Sequence, residues 1–277
     1  MKIVEMAKCI DRIDKKWFRG AYAKYAFARK KNCTFCGRKF HRYYLHGIAS
    51  PVTEKYSVTC MGIRRGDCPF CGSKDKERWL KWVLCNETDI LLSERSIKRK
   101  ILHFAPEPKI SNLILSNSRN DYITGDIVPG RAEYVIDMTN IPYENNTFDY
   151  VIASMVLEHI MEEQKALKEL IRVIRPDGKI LLSVPVAYSL ESTYQDNRWE
   201  KDEERFIHYG QEDHVRLYGR DIKTRWKELC PDCQIDIQEF KPIDFLTENE
   251  IRKYGLCRDY AVFCIRKQVK GDINENN

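Results

Sequence analysis

The chain has 277 residues, 43% of them hydrophobic, and a formal net charge of +6. That length suits one large domain and a small one, and no apolar run approaches the roughly 20 residues a membrane helix needs. The opening MKIVEMAKCIDRIDKKW scatters charges through what would be the apolar core of a secretory leader, so the sequence predicts a cytoplasmic protein.

Residues 1–88 differ in character from the rest. They hold seven of the eleven cysteines and an early basic cluster, Lys24, Arg29, Lys30, Lys31, Arg38, Lys39 and Arg42, which reads as a solvated face or as a contact surface for phosphate or RNA. Trp17, Phe18, Tyr22, Tyr25 and Phe27 lie among small and basic residues, as on an amphipathic helix. In a cytoplasmic chain so many cysteines point to metal rather than to disulfides. Cys33-Thr-Phe-Cys36-Gly37 and Cys68-Pro-Phe-Cys71-Gly72 are two similar hooks. Each lets two thiolates grip one ion from a tight turn, and together they supply the four sulfurs of a closed, structural zinc site. A redox dithiol needs only one hook, and nothing suggests the electron transfer of an iron–sulfur cluster. Cys230-Pro-Asp-Cys233 is a third hook without a visible partner, read as chance spacing. The remaining cysteines read as small buried hydrophobes.

From about Ile97 strands and helices alternate. ILHFA (101–105) is a first strand and Lys109–Leu115 begins a helix; DYITGD ends a second strand at Asp126, AEYVID a third at Asp137, and FDYVIAS, opening beside Asp149, is a fourth. Short, continuous apolar runs of this kind read as parallel strands covered on both faces, and carboxylates at such strand ends are how an α/β sheet holds a nucleoside. Leu167, Leu170, Ile171 and Ile174 mark one face of a helix over Glu162–Arg175, which Pro176 stops. KILLSVP is a fifth strand; Ile222, Trp226 and Leu229 mark a further helix; QIDIQEF and YAVFCIRK are two closing strands, the first alternating cleanly. Residues 268–277 read as a disordered tail.

Pro142-Tyr143, Phe148-Asp149, Leu157-Glu158-His159 and Arg172-Val173-Ile174-Arg175-Pro176-Asp177-Gly178 together resemble the class I S-adenosylmethionine-dependent methyltransferases over about residues 97–267. The resemblance implies an α/β, Rossmann-like methyltransferase with a mostly parallel seven-stranded sheet across residues 89–267, carrying a small N-terminal zinc-binding module over 1–88. The chain departs from the family at the first loop. His103-Phe104-Ala105-Pro106-Glu107-Pro108 stands where a glycine-rich turn is usual, and two prolines stiffen the path and remove amide donors. This loop, the cysteine-rich start and Gly210-Gln211-Glu212-Asp213-His214-Val215-Arg216-Leu217-Tyr218-Gly219 look like a bacterial subgroup of that family. A nicotinamide enzyme would want G-x-G-x-x-G at the first turn, which is absent.

On this resemblance Asp126 accepts from the ribose hydroxyls, and Asp137 with Met138 frames the adenine. Phe104, Ala105, Pro106 and Glu107 line the methionine portion, Glu107 receiving its ammonium, and Ser154 lies near the sulfonium. Each acid taken alone also reads as a cap or turn residue. Residues 186–219 leave the sheet pattern beside this site and are rich in Tyr, His, Asp, Glu and Arg, as functional inserts are. Asp213-His214 is the leading acid–imidazole pair for a general base, with His159 and His208 as rivals. The acceptor is expected to be a small molecule, in the first place a hydroxyl of a saccharide or nucleotide-linked sugar. Two other readings stand beside this one. An RNA methyltransferase would grip nucleic acid through the zinc module, and a binding protein would have lost catalysis through its altered first loop.

Overall fold

The computed structural model describes residues 30–92, 98–117 and 119–268. The amphipathic stretch around Trp17–Phe27, Cys9, Lys24, Arg29 and the tail beyond Gln268 lie outside the described residues.

The chain enters through two short antiparallel ladders. β1 (Lys31–Asn32) pairs with β2 (Lys39–Phe40), and β3 (Tyr44–His46) pairs with β4 (Arg64–Asp67). A helix over Pro51–Tyr56, capped by Ser50, interrupts the second ladder. The main sheet follows: β5 (Lys100–Phe104), β6 (Asp121–Asp126), β7 (Tyr134–Val135), β8 (Phe148–Ser154), β9 (Ile174–Ser183), β10 (Ile235–Phe240) and β11 (Val262–Lys267). Its order is β10-β11-β9-β8-β5-β6-β7, parallel except that β11 runs against both of its neighbours.

Burial explains the apolar runs. All seven residues of β8 are buried, and successive side chains feed opposite faces. Phe148, Val151 and Ala153 join Leu102, Ile180 and Leu182 under the helices Glu163–Val173 and Ile222–Leu229; Tyr150 and Ile152 join Ile101 and Leu181 under Asp75–Asn86 and Pro108–Leu115. Edge strand β10 keeps the two-residue alternation its sequence carries. The expected third strand, AEYVID, shrinks to the two exposed residues of β7, an edge with a partner on one side only. The helix expected to run through Arg175 ends at Val173, and Ile174 already has extended geometry. The residue before a proline is disfavoured in helix, so the turn ahead of Pro176 opens early. Residues 175–178 then loop out of β9 opposite Asp149, where a Cβ on Gly178 would lie 2.9 Å from the Asp149 carbonyl.

The helix Asp75–Asn86, which composition groups with the cysteine-rich module, belongs to the core of the large sheet. Trp79, Leu80, Val83 and Leu84 are buried there, and Trp79 donates through its indole to the Phe240 carbonyl at 3.0 Å. Arg78 on the same helix is buried and donates to the carbonyls of Gly66, Gly255 and Tyr254 at 2.7, 2.7 and 2.8 Å, while its guanidinium lies over the Tyr43 ring. One side chain thus ties the N-terminal ladders to the C-terminal part of the chain. The insert over 186–219 forms a helix, Asp202–Tyr209, and packs Tyr209 and Leu217 against Val52 and Val58.

Candidate active site

β5 lies between β6 and β8, so consecutive strands leave it in opposite directions. In an open α/β sheet this is the switch point, and ligands sit outside the carboxyl ends of the strands there. A cavity of about 570 Å³ opens at that place, in the range of small-molecule sites.

The loop after β5 forms its floor. Ala105 has a φ of 45°, left-handed geometry that usually calls for glycine, and its amide donates to the Gly125 carbonyl at 2.9 Å. The proline-bounded loop therefore makes the tight turn with an alanine. Phe104 and Ala105 line the cavity. Asp126 at the end of β6 and Asp137 just after β7 line it together with Met138. Each acid holds its own loop. Asp126 accepts from the Val128 amide at 2.8 Å, and Asp137 accepts from the amide and hydroxyl of Thr139, both at 2.8 Å. Turn-making and membership of the cavity wall coincide in these residues.

Three residues expected at the cofactor lie off this wall. Pro106, Glu107 and Ser154 are not among the cavity's lining residues. Glu107 caps the helix Pro108–Leu115, and its carboxylate sits 3.1 Å from Nε2 of the buried His103, whose Nδ1 lies 2.8 Å from the Tyr122 hydroxyl. Burial is the largest influence on Glu107 and opposes its ionisation, but the hydrogen bond and charge of His103, the Lys76 ammonium and the Ser154 hydroxyl together outweigh it and hold the carboxyl below its usual range. Ser154 is buried within hydrogen-bond reach of Glu107 and Tyr260. Asp149 is structural: it accepts from the Lys100 amide at 2.7 Å and from Arg175 at 2.8 Å, at the amino-terminal end of β8.

The wall beyond β8 is a turn centred on the short helix Leu157–His159, flanked by Met155, Val156, Ile160 and Met161, all of which line the cavity. Here the expected pairing of Asp213 with His214 is corrected. The partner of Asp213 is His159, whose Nδ1 lies 3.1 Å from the Asp213 carbonyl oxygen and 3.3 Å from its carboxylate. Both His159 and Asp213 line the cavity. Two acceptors at Nδ1 place the proton there and leave the Nε2 lone pair available. His214 is buried behind them, its ring 4.8 Å from that of His159 and nearly perpendicular to it. Burial, then the charge of His159, pushes His214 down to about 3, so it stays neutral. His208 lies elsewhere, stacked on Trp199 in the insert and beside a separate cavity of about 520 Å³.

Sequence reasoning missed two groups at this wall. Glu158 is 1% exposed, and neither of its carboxylate oxygens has a hydrogen-bond partner; burial raises it to about 7. The signal was an acid inside an apolar run, with histidine directly after it. Arg216, also buried, donates to the carbonyls of Leu157 and Met161 at 2.7 and 3.1 Å and fixes the turn. It lies 3.5 Å from Glu163, which also accepts from Tyr218 and Trp226.

The cysteine hooks are near copies. Gly37 and Gly72 have φ of 67° and 68°, and each amide donates at 2.9 Å to the carbonyl of the hook's first cysteine. Cys33 lies 3.6 Å from Cys71 and Cys36 lies 3.8 Å from Cys68, sulfur to sulfur. Four thiolates around zinc at about 2.3 Å stand about 3.8 Å apart, so the donor set and its spacing fit that ion. Hydrogen bonds stabilise the Cys33 thiolate, first from Cys68 and then from Ser73 and the hook's own amides, and hold it down at about 4. Cys230 and Cys233 lie against the main core, distant from this group.

Residues 115–182 match the family model described as a methyltransferase domain. The ubiquinone/menaquinone biosynthesis C-methyltransferase UbiE of Idiomarina loihiensis is 25% identical over 148 residues, and that of Salmonella arizonae is 35% identical over 148 residues. Each match takes in 51% of this chain and 53% of the relative, so the chain spans about half the length of the curated relatives it matches. Among solved structures, the PH0226 protein from Pyrococcus horikoshii OT3 is similar at a TM-score of 0.40 and 17% identity, over 70% of this chain and 92% of that one. The similarity to a methyltransferase domain lies in the middle of the chain.

Proposed function

We propose that this protein transfers a methyl group from S-adenosylmethionine to a small-molecule acceptor. The observation that carries the reading is that Asp126 and Asp137, from successive strand ends, share one cavity with Phe104, Ala105 and Met138 at the switch point of the sheet. In this reading Asp126 takes the ribose hydroxyls, Asp137 and Met138 frame the adenine, and the Ala105 turn follows the methionine portion. Pro106, Glu107 and Ser154 act from behind this wall.

The acceptor meets the side of the cavity formed by Met155, Val156, Ile160 and Met161, with His159 and Asp213 at its rim. In the reaction the sulfonium–methyl bond breaks as the acceptor–methyl bond forms, leaving S-adenosylhomocysteine. The acceptor's proton passes to Nε2 of His159, whose imidazolium Asp213 stabilises. Alignment of nucleophile, methyl and sulfur in a dry site supplies much of the rate. A mostly apolar wall suits a ring or chain better than a saccharide, and the saccharide hydroxyl expected from the sequence gains no support from it. C-methylation, the activity named for the UbiE relatives, is the reading this wall favours. The four-cysteine group holds a structural zinc ion.

Isothermal titration with S-adenosylmethionine and S-adenosylhomocysteine tests the proposal. Binding of both, weakened about 10- to 100-fold in Asp126→Ala, is expected for the loss of hydrogen bonds to a charged group. Folded protein that binds neither ligand would leave only a non-catalytic role.

A further inference from the structure

Glu158, His159 and His214 bring one carboxylate oxygen and two ring nitrogens within 4.8 Å of one another at the acceptor-side wall of the cavity. The Glu158 carboxylate is fully buried, yet both of its oxygens lack a hydrogen-bond partner, and one of them lies 3.9 Å from Nε2 of His159. Buried carboxylates are satisfied in nearly all folded proteins, and an unsatisfied pair of oxygens calls for a missing partner. The histidines are also prepared for a ligand. The Nδ1 of His159 is engaged by the Asp213 carbonyl and carboxylate, and the His214 ring is engaged by the Tyr209 carbonyl. Histidines that ligate metals hand their second nitrogen to just such acceptors, which fixes the tautomer and aims the free lone pair.

We infer that Glu158, His159 and His214 form a second metal site, distinct from the four cysteines, that takes a divalent first-row transition ion. Two imidazoles and one carboxylate are a nitrogen–oxygen donor set suited to zinc, cobalt, iron or manganese, and three protein ligands leave a coordination position open. Because His159 lines the cavity, the open position faces that cavity. Ligand atoms around such an ion stand about 3.3 Å apart for bonds of about 2.05 Å, so closing the site asks for side-chain movements of about an ångström. The Lys76 ammonium acts on both Glu158 and His214 and is the charge an entering ion must work against. An ion there occupies the lone pair that His159 would otherwise use to accept a proton, so ion binding and base catalysis by His159 are alternative states of one residue. The site does not depend on the proposed methyl transfer.

Cobalt(II) titration of the full chain, followed by absorption, tests the inference. Cobalt held by cysteines gives an intense sulfur-to-metal band in the near ultraviolet, whereas cobalt on nitrogen and oxygen gives only weak visible bands. The expected result is a second equivalent bound without the sulfur band, with affinity at least about ten-fold lower in both Glu158→Gln and His159→Gln. Glu158→Gln keeps the shape of the buried side chain. His159→Gln changes a partly exposed residue and decides the matter if the first variant fails to fold. Absence of a second equivalent, or a second equivalent weakened less than ten-fold in the folded variants, would overturn the inference.

Discussion

Arg216 donates to the carbonyl of Leu157 at 2.7 Å, from a position on the far side of the insert. Fifty-nine residues separate the two in sequence, and the bond fixes the turn on which His159 stands. Replacing Arg216 with methionine leaves the Leu157 and Met161 carbonyls without this donor, while the buried Glu163 keeps Arg225 at 2.6 Å and its bonds from Tyr218 and Trp226. The expected cost is about 1–3 kcal/mol, seen as a fall of roughly 2–12 °C in the thermal midpoint. A fall of under about 2 °C would mean that the turn is held by other contacts.

Ala105 carries the strain of the first loop. A non-glycine residue in left-handed geometry costs about 1–2 kcal/mol, offset in part by the smaller freedom of alanine in the unfolded chain. Ala105→Gly is therefore expected to raise stability by up to about 1 kcal/mol, and Ala105→Val to lower it by more than that, both read by urea denaturation. A destabilised glycine variant would show that the alanine methyl packs usefully against its surroundings.

Glu158 and His214 titrate in opposite senses. The folded protein raises Glu158 from 4.5 to about 7, so its contribution is full below about pH 4.5 and is lost as pH rises to 7. It lowers His214 from 6.5 to about 3, so that contribution is full above 6.5 and is lost as pH falls toward 3. Glu158→Gln removes the first effect. In metal-free protein the stability of the variant relative to the parent is expected to rise by about 3 kcal/mol between pH 4.5 and 7. Thermal midpoints measured across that window check it, and a constant difference would show that Glu158 is solvated.

Cys36→Ser is expected to abolish the cysteine-type cobalt band and to lower the thermal midpoint, since a structural ion contributes folding energy directly. Cys233→Ser, on the unpartnered third hook, is expected to leave the band unchanged. Loss of the band in the second variant alone would reassign the ligands.

Much of the scaffold was legible in the sequence because burial writes itself into composition. β8 is apolar throughout since both faces are covered, and β10 alternates since it lies at an edge. The acids at strand ends were readable for the same reason, as breaks in apolar runs. What was not legible depended on contacts between distant segments. Asp213 adjoins His214 in sequence, yet the turn sends the two residues to different sides of the wall, and the imidazole that reaches Asp213 comes from position 159. Glu107 looked like a cofactor ligand because it follows the first strand; that strand's own His103 claims it. The burial of Arg216 is a property of the closed fold that no local pattern announces, and that of Glu158 was signalled only by its place inside an apolar run.

The side chain of Arg78 has a reach that extends beyond its own helix. It grips backbone from the N-terminal ladders and from residues 254–255, on the helix that supplies Trp79 to the large core, and this helix begins three residues after the second cysteine hook closes at Gly72. Oxidation of a thiol, or zinc starvation, would then be transmitted as slackness through a shared girder rather than confined to an appendage. The metal supply of the cell would set how firmly the large sheet is clad on that face.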